Sequence, residues 1–186
     1  MNDDAHWIDQ TLAGNSAAFG QLVRRYQDRL YNTVLHVVGN AEDARDVVQD
    51  AFVQAFLKLE TFQRASTFYT WIYRIAVNLA ISHRRRRRPV ASVEHARESA
   101  GIEPVDGGDG PTEPLERDER CRQVRAAISR LNEEFRAVLV LREIDSCSYE
   151  AISQILELPI GTVRSRLARA RIQLRDQLRE VMVIDE

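Results

Sequence analysis

The chain has 186 residues, 44% of them hydrophobic and 29% charged, with 8 Gly, 5 Pro and a formal net charge of −2. This composition points to a soluble, folded, helix-rich chain of one ordinary or two small domains, and it excludes collagen-like, low-complexity and large multidomain classes. The small net charge conceals blocks: residues 1–60 carry −4, 61–88 carry +7, 89–120 carry −6 and 121–186 carry +1, so a polyanion contact is expected at one place rather than over the whole surface.

Apolar residues recur at three- and four-residue steps in both halves, with no convincing alternating strand pattern, so the expected fold class is all-α. Ala17, Leu22, Tyr26 and Leu30 predict a helix that continues toward Val37 and breaks at Gly39-Asn40. A second helix is predicted over 41–59, with Val48, Ala51, Phe52, Ala55, Phe56 and Leu59 on one side. Opposite them lie Asp43, Asp46, Asp50 and Gln54 in a narrow stripe. An acidic stripe of one sign either meets a basic partner or merely solvates the helix. A third helix starts near Thr67 with Phe68, Ile72, Ile75 and Leu79 as its apolar stripe. Aromatics interleave with polar and basic residues across 62–74, and five arginines follow at 84–88. Flat rings beside cations are what unpaired nucleic acid needs. Helical spacing sends Phe68 to the core and puts Trp71 and Asn78 together on a different face, while the arginine run alone reads as a solvated helix end or an interaction tail.

Residues 89–118 hold all but one of the prolines and a GGDG cluster, the composition of a linker between domains 1–88 and 119–186. Beyond it, Val124, Ile128 and Leu131 mark one helix and Phe135, Val138 and Leu139 the next. Ser148 is an N-cap with Glu150 in the first turn of a short helix ending near Leu156. After a break at 158–161, a longer helix starts near Thr162 with Val163, Leu167, Ala170, Leu174 and Leu178 on one face. This is helix-turn-helix spacing. Arg164, Arg171 and Arg175 project to one flank of the last helix and Arg166 and Arg169 to the other, with Ser165 and Ala168 between. That arrangement suits a major groove, whose phosphate walls meet the cations while small residues approach base edges. An arginine-rich solvent face is the plainer reading. Residues 158–175 carry five Arg and no acid, which favours nucleic acid because solvated faces mix signs.

The ordered segments AFGQLVRRYQDRLYN, DARDVVQDAFVQAF, FQRASTFYTWIYRIAVNLA and LREIDSCSYEAISQILELPIGTVRSRLARARIQL closely resemble the bacterial extracytoplasmic-function sigma factors, small specificity subunits of RNA polymerase. The resemblance covers about 16–88 and 119–180, essentially everything but the linker. It implies two small helical domains, a region 2 bundle over 1–88 and a region 4 helix-turn-helix domain over 119–186, joined by a flexible acidic linker. It assigns Asp43, Asp46, Gln49 and Asp50 to core RNA polymerase, and Phe68, Tyr69, Trp71, Arg74 and Asn78 to the promoter −10 element and its melting. Thr162, Arg164, Ser165, Arg166 and Arg169 fall to the −35 element. Where some relatives have an aromatic this chain has Ala168, so its −35 preference is not carried over. The arginine run exceeds the family pattern, either as added phosphate contacts next to the linker or as this chain's preference for Arg over Lys, Lys58 being its only lysine, and an anti-sigma factor is an expected partner.

An ordinary duplex-operator regulator, with the amino-terminal half as a dimerisation or sensor domain, would explain the arginines from Arg164 to Arg175 but not the aromatic, basic segment 62–88. A pure adaptor would bind polymerase without promoter selectivity. Enzyme activity is not expected: GGDG lacks the Lys and following helix of a phosphate loop, and His6, His36, His83 and His95 form no ligand or triad pattern. Cys121 and Cys147 build neither a disulfide framework nor a zinc site, so no metal and no cofactor is expected. The longest aliphatic run, 137–141, is far short of the roughly 18 residues a transmembrane helix needs, and the acidic N-terminus lacks a signal peptide's features. A cytoplasmic location follows as the expectation.

Overall fold

Local chemistry fixes most of the helix boundaries in the computed structural model, which describes residues 3–87 and 113–182, all of the secondary structure there being helical. The first half comprises α1 (Asp3–Leu12), α2 (Ser16–Val38), α3 (Ala41–Leu57), a 3-10 turn (Leu59–Thr61) and α4 (Phe68–Arg87). The second comprises α5 (Glu113–Arg130), α6 (Glu133–Leu139) with a π turn continuing it (Val140–Ile144), α7 (Tyr149–Leu156) and α8 (Ile160–Met182). Gly39 ends α2 at φ 85°, a left-handed conformation that favours glycine, and its N–H donates to the Leu35 carbonyl. Asn40 then caps α3: its side-chain oxygen accepts from the N–H groups of Glu42 and Asp43 at 2.8 and 3.0 Å, a cap worth about 1 kcal/mol. Ser148 caps α7 in the same way, accepting from Ala151 N–H at 3.1 Å.

Three boundaries depart from the sequence expectation. The polar α1 has a single buried apolar residue, Ile8, and so leaves almost no periodic trace. The helix α5 begins at Glu113, inside the stretch read as linker. Pro114 is tolerated there because the first turn of a helix needs no intrahelical N–H donor. The remaining linker, 88–112, lies outside the described residues. Finally α8 starts at Ile160, because the Pro159 carbonyl already accepts from Thr162 and Val163.

The halves, expected as separate domains on a tether, share one core. Leu22, Leu30, Val34, Ala51, Ile72 and Val77 of the first half join Leu131, Val138, Leu141, Ile152, Ile155 and Leu167 of the second in a continuous buried cluster. Packing of α4 along α7, and of α2 against α5 and the π turn, forms the junction. Hydrophobic periodicity says that a helix has an apolar face but not which neighbour covers it.

Arginines stitch this junction by donating to carbonyls at the carboxyl-terminal ends of α2 and α5. Arg136 is 1% exposed; it donates to the carbonyls of Ile128 at 2.9 Å and Leu131 at 2.7 Å, to Ser129, and across the junction to Val37 at 3.0 Å. From the other side Arg84 donates to the Ser129 carbonyl at 2.9 Å and to those of Val37 and Val38 at 3.4 Å. Arg85 pairs with Glu133 at 3.1 Å. The first two members of the run 84–88, whose role the sequence left open, therefore bind protein; Arg86 is exposed and Arg88 lies outside the described residues. Replacing Arg136 by Met removes the side-chain donor to the Leu131 carbonyl and one of two donors to those of Ile128, Ser129 and Val37, and urea denaturation should show a loss of at least about 3 kcal/mol in unfolding free energy.

Candidate nucleic-acid interface

The aromatic segment wraps the amino-terminal end of α4. Phe68 is a core residue, 3% exposed, its ring edge-on to Phe62 at 6.0 Å and tilted against Tyr26 at 5.6 Å and Trp71 at 5.8 Å. A ring so enclosed cannot stack on a base, which corrects its assignment to DNA. Trp71 is half-buried against Phe62 at 5.1 Å, Arg74 is half-buried, and Asn78 is exposed. Their three- and four-residue spacing places these three along one side of α4.

Tyr69 belongs to a polar knot between the halves. At its centre is Asp145, 4% exposed, at the end of the π turn. Its carboxylate accepts from Thr33 at 2.5 Å, Tyr73 at 3.2 Å and Arg29 Nε at 3.4 Å, and Arg29 also donates to its backbone carbonyl at 2.5 Å. The Tyr69 ring lies 4.1 Å from that of Tyr73, has the Arg29 guanidinium 5.0 Å above it, and brings its hydroxyl within 3.1 Å of Cys147 Sγ. Burial pushes the Asp145 carboxyl above its usual range, while Thr33, Arg29 and Tyr73 pull in the opposite direction. Burial likewise raises Tyr69 and Tyr73, so both keep their hydroxyl protons at neutral pH. Arg74 reaches across as well, donating to the Gln154 carbonyl at 3.1 Å and approaching Glu157 at 3.4 Å.

On α8 the flanks are unequal. Arg164, Ser165, Ala168 and Arg169 are exposed in one strip, with the Arg164 guanidinium 5.7 Å from the Tyr149 ring. Thr162 is half-buried at the amino-terminal end, its carbonyl accepting from the Ser165 hydroxyl at 3.0 Å. Arg166 turns inward to Glu134 at 2.8 Å, and Arg171 is held by Glu143. Arg166 is therefore off the exposed strip to which the sequence assigned it. A helix whose small residues sit between free cations can approach base edges and phosphates together.

The acidic stripe of α3 is also narrower than expected. Asp46, Gln49 and Asp50 are exposed, whereas Asp43 is half-buried near His83 of α4, 3.8 Å away. Val53 at 51% and Leu57 at 74% exposure continue the stripe at helical spacing. Sequence reasoning left these two apolar residues out. The signal was present: positions 46, 50, 53 and 57 advance by four, three and four. Acid followed by bare aliphatic surface is a protein-binding pattern more than a solvating one.

Among the described residues no group of three or more His, Cys, Asp or Glu could hold a metal ion, and no helix is long and apolar enough to cross a membrane. Residues 22–90 match the family profile Sigma-70 region 2, and 121–174 match Sigma-70, region 4. The chain is 41% identical over 171 residues to the ECF RNA polymerase sigma-E factor of Escherichia coli (strain K12), covering 88% of each. It is 38% identical over 176 residues to the RNA polymerase sigma-H factor of Pseudomonas aeruginosa, covering 92% of this chain and 91% of that one. The solved structure of CnrH in complex with the cytosolic domain of CnrY superposes with a TM-score of 0.72 at 28% identity, covering 96% of this chain and 99% of that one. The sigma factor RpoE in complex with the anti-sigma factor NepR, from Bartonella quintana, gives 0.68 at 25% identity, covering 87% and 96%.

Two expectations test this geometry. Phe68→Ala should lower the unfolding free energy by about 3 kcal/mol and Asn78→Ala by less than about 0.5 kcal/mol in chemical denaturation. The raised Tyr26, Tyr69 and Tyr73 stay protonated in the fold while an unfolded tyrosine ionises near 10.0. Folding stability is then full below that pH and falls as pH rises above it, and ultraviolet titration should show these three tyrosines ionising only on alkaline unfolding.

Proposed function

The chain belongs to the extracytoplasmic-function sigma factors of the sigma-70 family, which are RNA polymerase specificity subunits and not enzymes, and from that premise we propose how its residues divide the work. The observation that carries the proposal is a pair of exposed strips of opposite charge on different halves of one chain, acidic and apolar on α3 and basic on α8. Asp46, Gln49, Asp50, Val53 and Leu57 form the contact with core RNA polymerase, the carboxylates meeting a basic surface and the aliphatic residues supplying buried area. Asp43, at the half-buried edge, orients the start of that strip.

The second strip reads the −35 element. With α8 in the major groove, Arg164 and Arg169 neutralise phosphates on the two walls, Ser165 and Ala168 approach base edges, and Thr162 sits where the helix enters. Arg166 supports this helix through Glu134 in the docked state. Tyr69, Trp71, Arg74 and Asn78 of α4 receive the −10 element, rings offering flat faces to unpaired bases and Arg74 a charge for the backbone. Melting by such a surface is capture: unstacking costs a few kcal/mol per step and contacts to the released bases offset it. The partners are core RNA polymerase, promoter DNA and an anti-sigma factor, the last supported by the Bartonella quintana complex of a chain with this fold. The site of action is the cytoplasm, where polymerase and chromosome are.

Gel filtration with bacterial core RNA polymerase, followed by run-off transcription from a promoter library, tests the reading. Co-elution with selective initiation is the expected result; a folded chain that elutes apart from polymerase and binds a duplex operator alone would contradict it. The strips are separable: Asp46→Lys with Asp50→Lys should weaken polymerase binding at least about tenfold. Arg164→Ala with Arg169→Ala should leave that binding intact and reduce the salt dependence of promoter binding by about two in logarithmic slope.

A further inference from the structure

The arginines of α8 differ in what already holds them. Arg166 pairs with Glu134 at 2.8 Å, Arg171 with Glu143 at 2.6 Å, and Arg175 lies 3.7 Å from Asp176. A carboxylate takes up part of the charge of each. Arg164 has no acid within ion-pair distance among the described residues; its guanidinium lies 5.7 Å from the centre of the Tyr149 ring. A neutral ring attracts a cation through its electron-rich face but accepts no strong hydrogen bond. It can therefore fix where a guanidinium stands and leave the N–H donors for another acceptor.

Tyr149 is itself firmly placed. It is the first residue of α7, directly after Ser148, whose hydroxyl accepts from Ala151 N–H and sets the start of that helix. The ring is half-buried and packs on the hydrophobic core. Arg142 of the π turn brings its guanidinium 5.1 Å from the same ring and donates to the Cys147 carbonyl at 2.7 Å, so the turn leading into α7 is tied to the ring as well. The Tyr149 hydroxyl has no hydrogen-bond partner among the described residues, which leaves the ring face as the part of this side chain that acts.

We propose that Tyr149 is a positioning residue for promoter recognition: its ring holds the Arg164 guanidinium in place on the exposed strip of α8 for a phosphate of the −35 element, without touching the DNA itself. The inference rests on the assignment of α8 to that element. A long side chain that binds phosphate gives up rotamer freedom, and holding it before DNA arrives moves that entropy loss out of the binding step. An acidic residue in place of the ring would hold Arg164 too, but it would compete with the phosphate and repel it. The two residues stand on different helices of the helix-turn-helix pair, so the spacing on α8 alone could not reveal the contact.

The test uses the full chain assembled with core RNA polymerase on a duplex promoter recovered from the library. Promoter affinity is measured over a range of salt concentrations for the ringless variants Tyr149→Leu and Tyr149→Met, for Tyr149→Phe, for Arg164→Ala and for Tyr149→Leu combined with Arg164→Ala, each shown folded by circular dichroism. The ringless variants should bind about threefold more weakly, the loss expected of one exposed cation–ring contact. Their salt slope should match the wild type, because Arg164 still reaches its phosphate. Tyr149→Phe keeps the ring and should restore wild-type affinity, and Tyr149→Leu should have no further effect once Arg164 is alanine. Unchanged affinity in the ringless variants would overturn the proposal. So would an equal loss with and without Arg164, the mark of a role in folding, or a loss in Tyr149→Phe, the mark of a hydroxyl that touches DNA. Arg164→Ala with unchanged promoter affinity and salt slope would remove the −35 assignment and this proposal together; a normal Arg164→Ala defect with an inert ring would remove the proposal alone.

Discussion

A carboxylate withdrawn from water must find donors, and for Asp145 all the side-chain donors lie in the other half of the molecule, on α2 and α4. That requirement organises the junction. Tyr73 is fully buried because its hydroxyl serves Asp145; Tyr69 lies against Tyr73 and Arg29 lies over Tyr69. The π turn delivers Asp145 to this place and Arg142 then ties the following turn to its own half through the Cys147 carbonyl at 2.7 Å. Around the knot, Arg84 and Arg136 cross in opposite directions to the free carbonyls of α2 and α5. Apolar burial supplies most of the attraction between the halves, and these polar groups fix its geometry.

The elements that were legible in the sequence are those whose signals are local. Gly39 and Asn40 mark a helix end and a helix start by backbone and side-chain chemistry that requires no neighbour, and Ser148 does the same for α7. The helix pair α7 and α8 and the basic strip on α8 could be read from spacing and charge alone. What was not legible depends on partners distant in the chain. The polar α1 is held by contacts such as Tyr26 to Asp4 at 2.5 Å, which no window of ten residues reveals. Arg166 reads as a DNA contact, and Arg84 and Arg85 as part of a basic run of open role, because cations are cations in a sequence; only the fold shows which of them already face a carbonyl or a carboxylate. Phe68 shows the opposite case: helical spacing sent it to the core, the family resemblance offered it to DNA, and the ring lies in the core.

The account makes exposure of the two strips unequal to exposure of the melting surface. Both the α3 strip and the α8 strip are open in the docked chain, whereas Tyr69 and Arg74 of α4 are engaged across the junction and Asn78 stays exposed.

The measurement closest to the Asp145 junction is a distance distribution between spin labels on α4 and α8, placed at Asn78 and Arg169, in the wild-type chain and in Asp145→Asn. One narrow, short distance is expected in the wild type and a broader distribution in the variant. A broad distribution in the wild type, or a variant indistinguishable from it, would contradict the account.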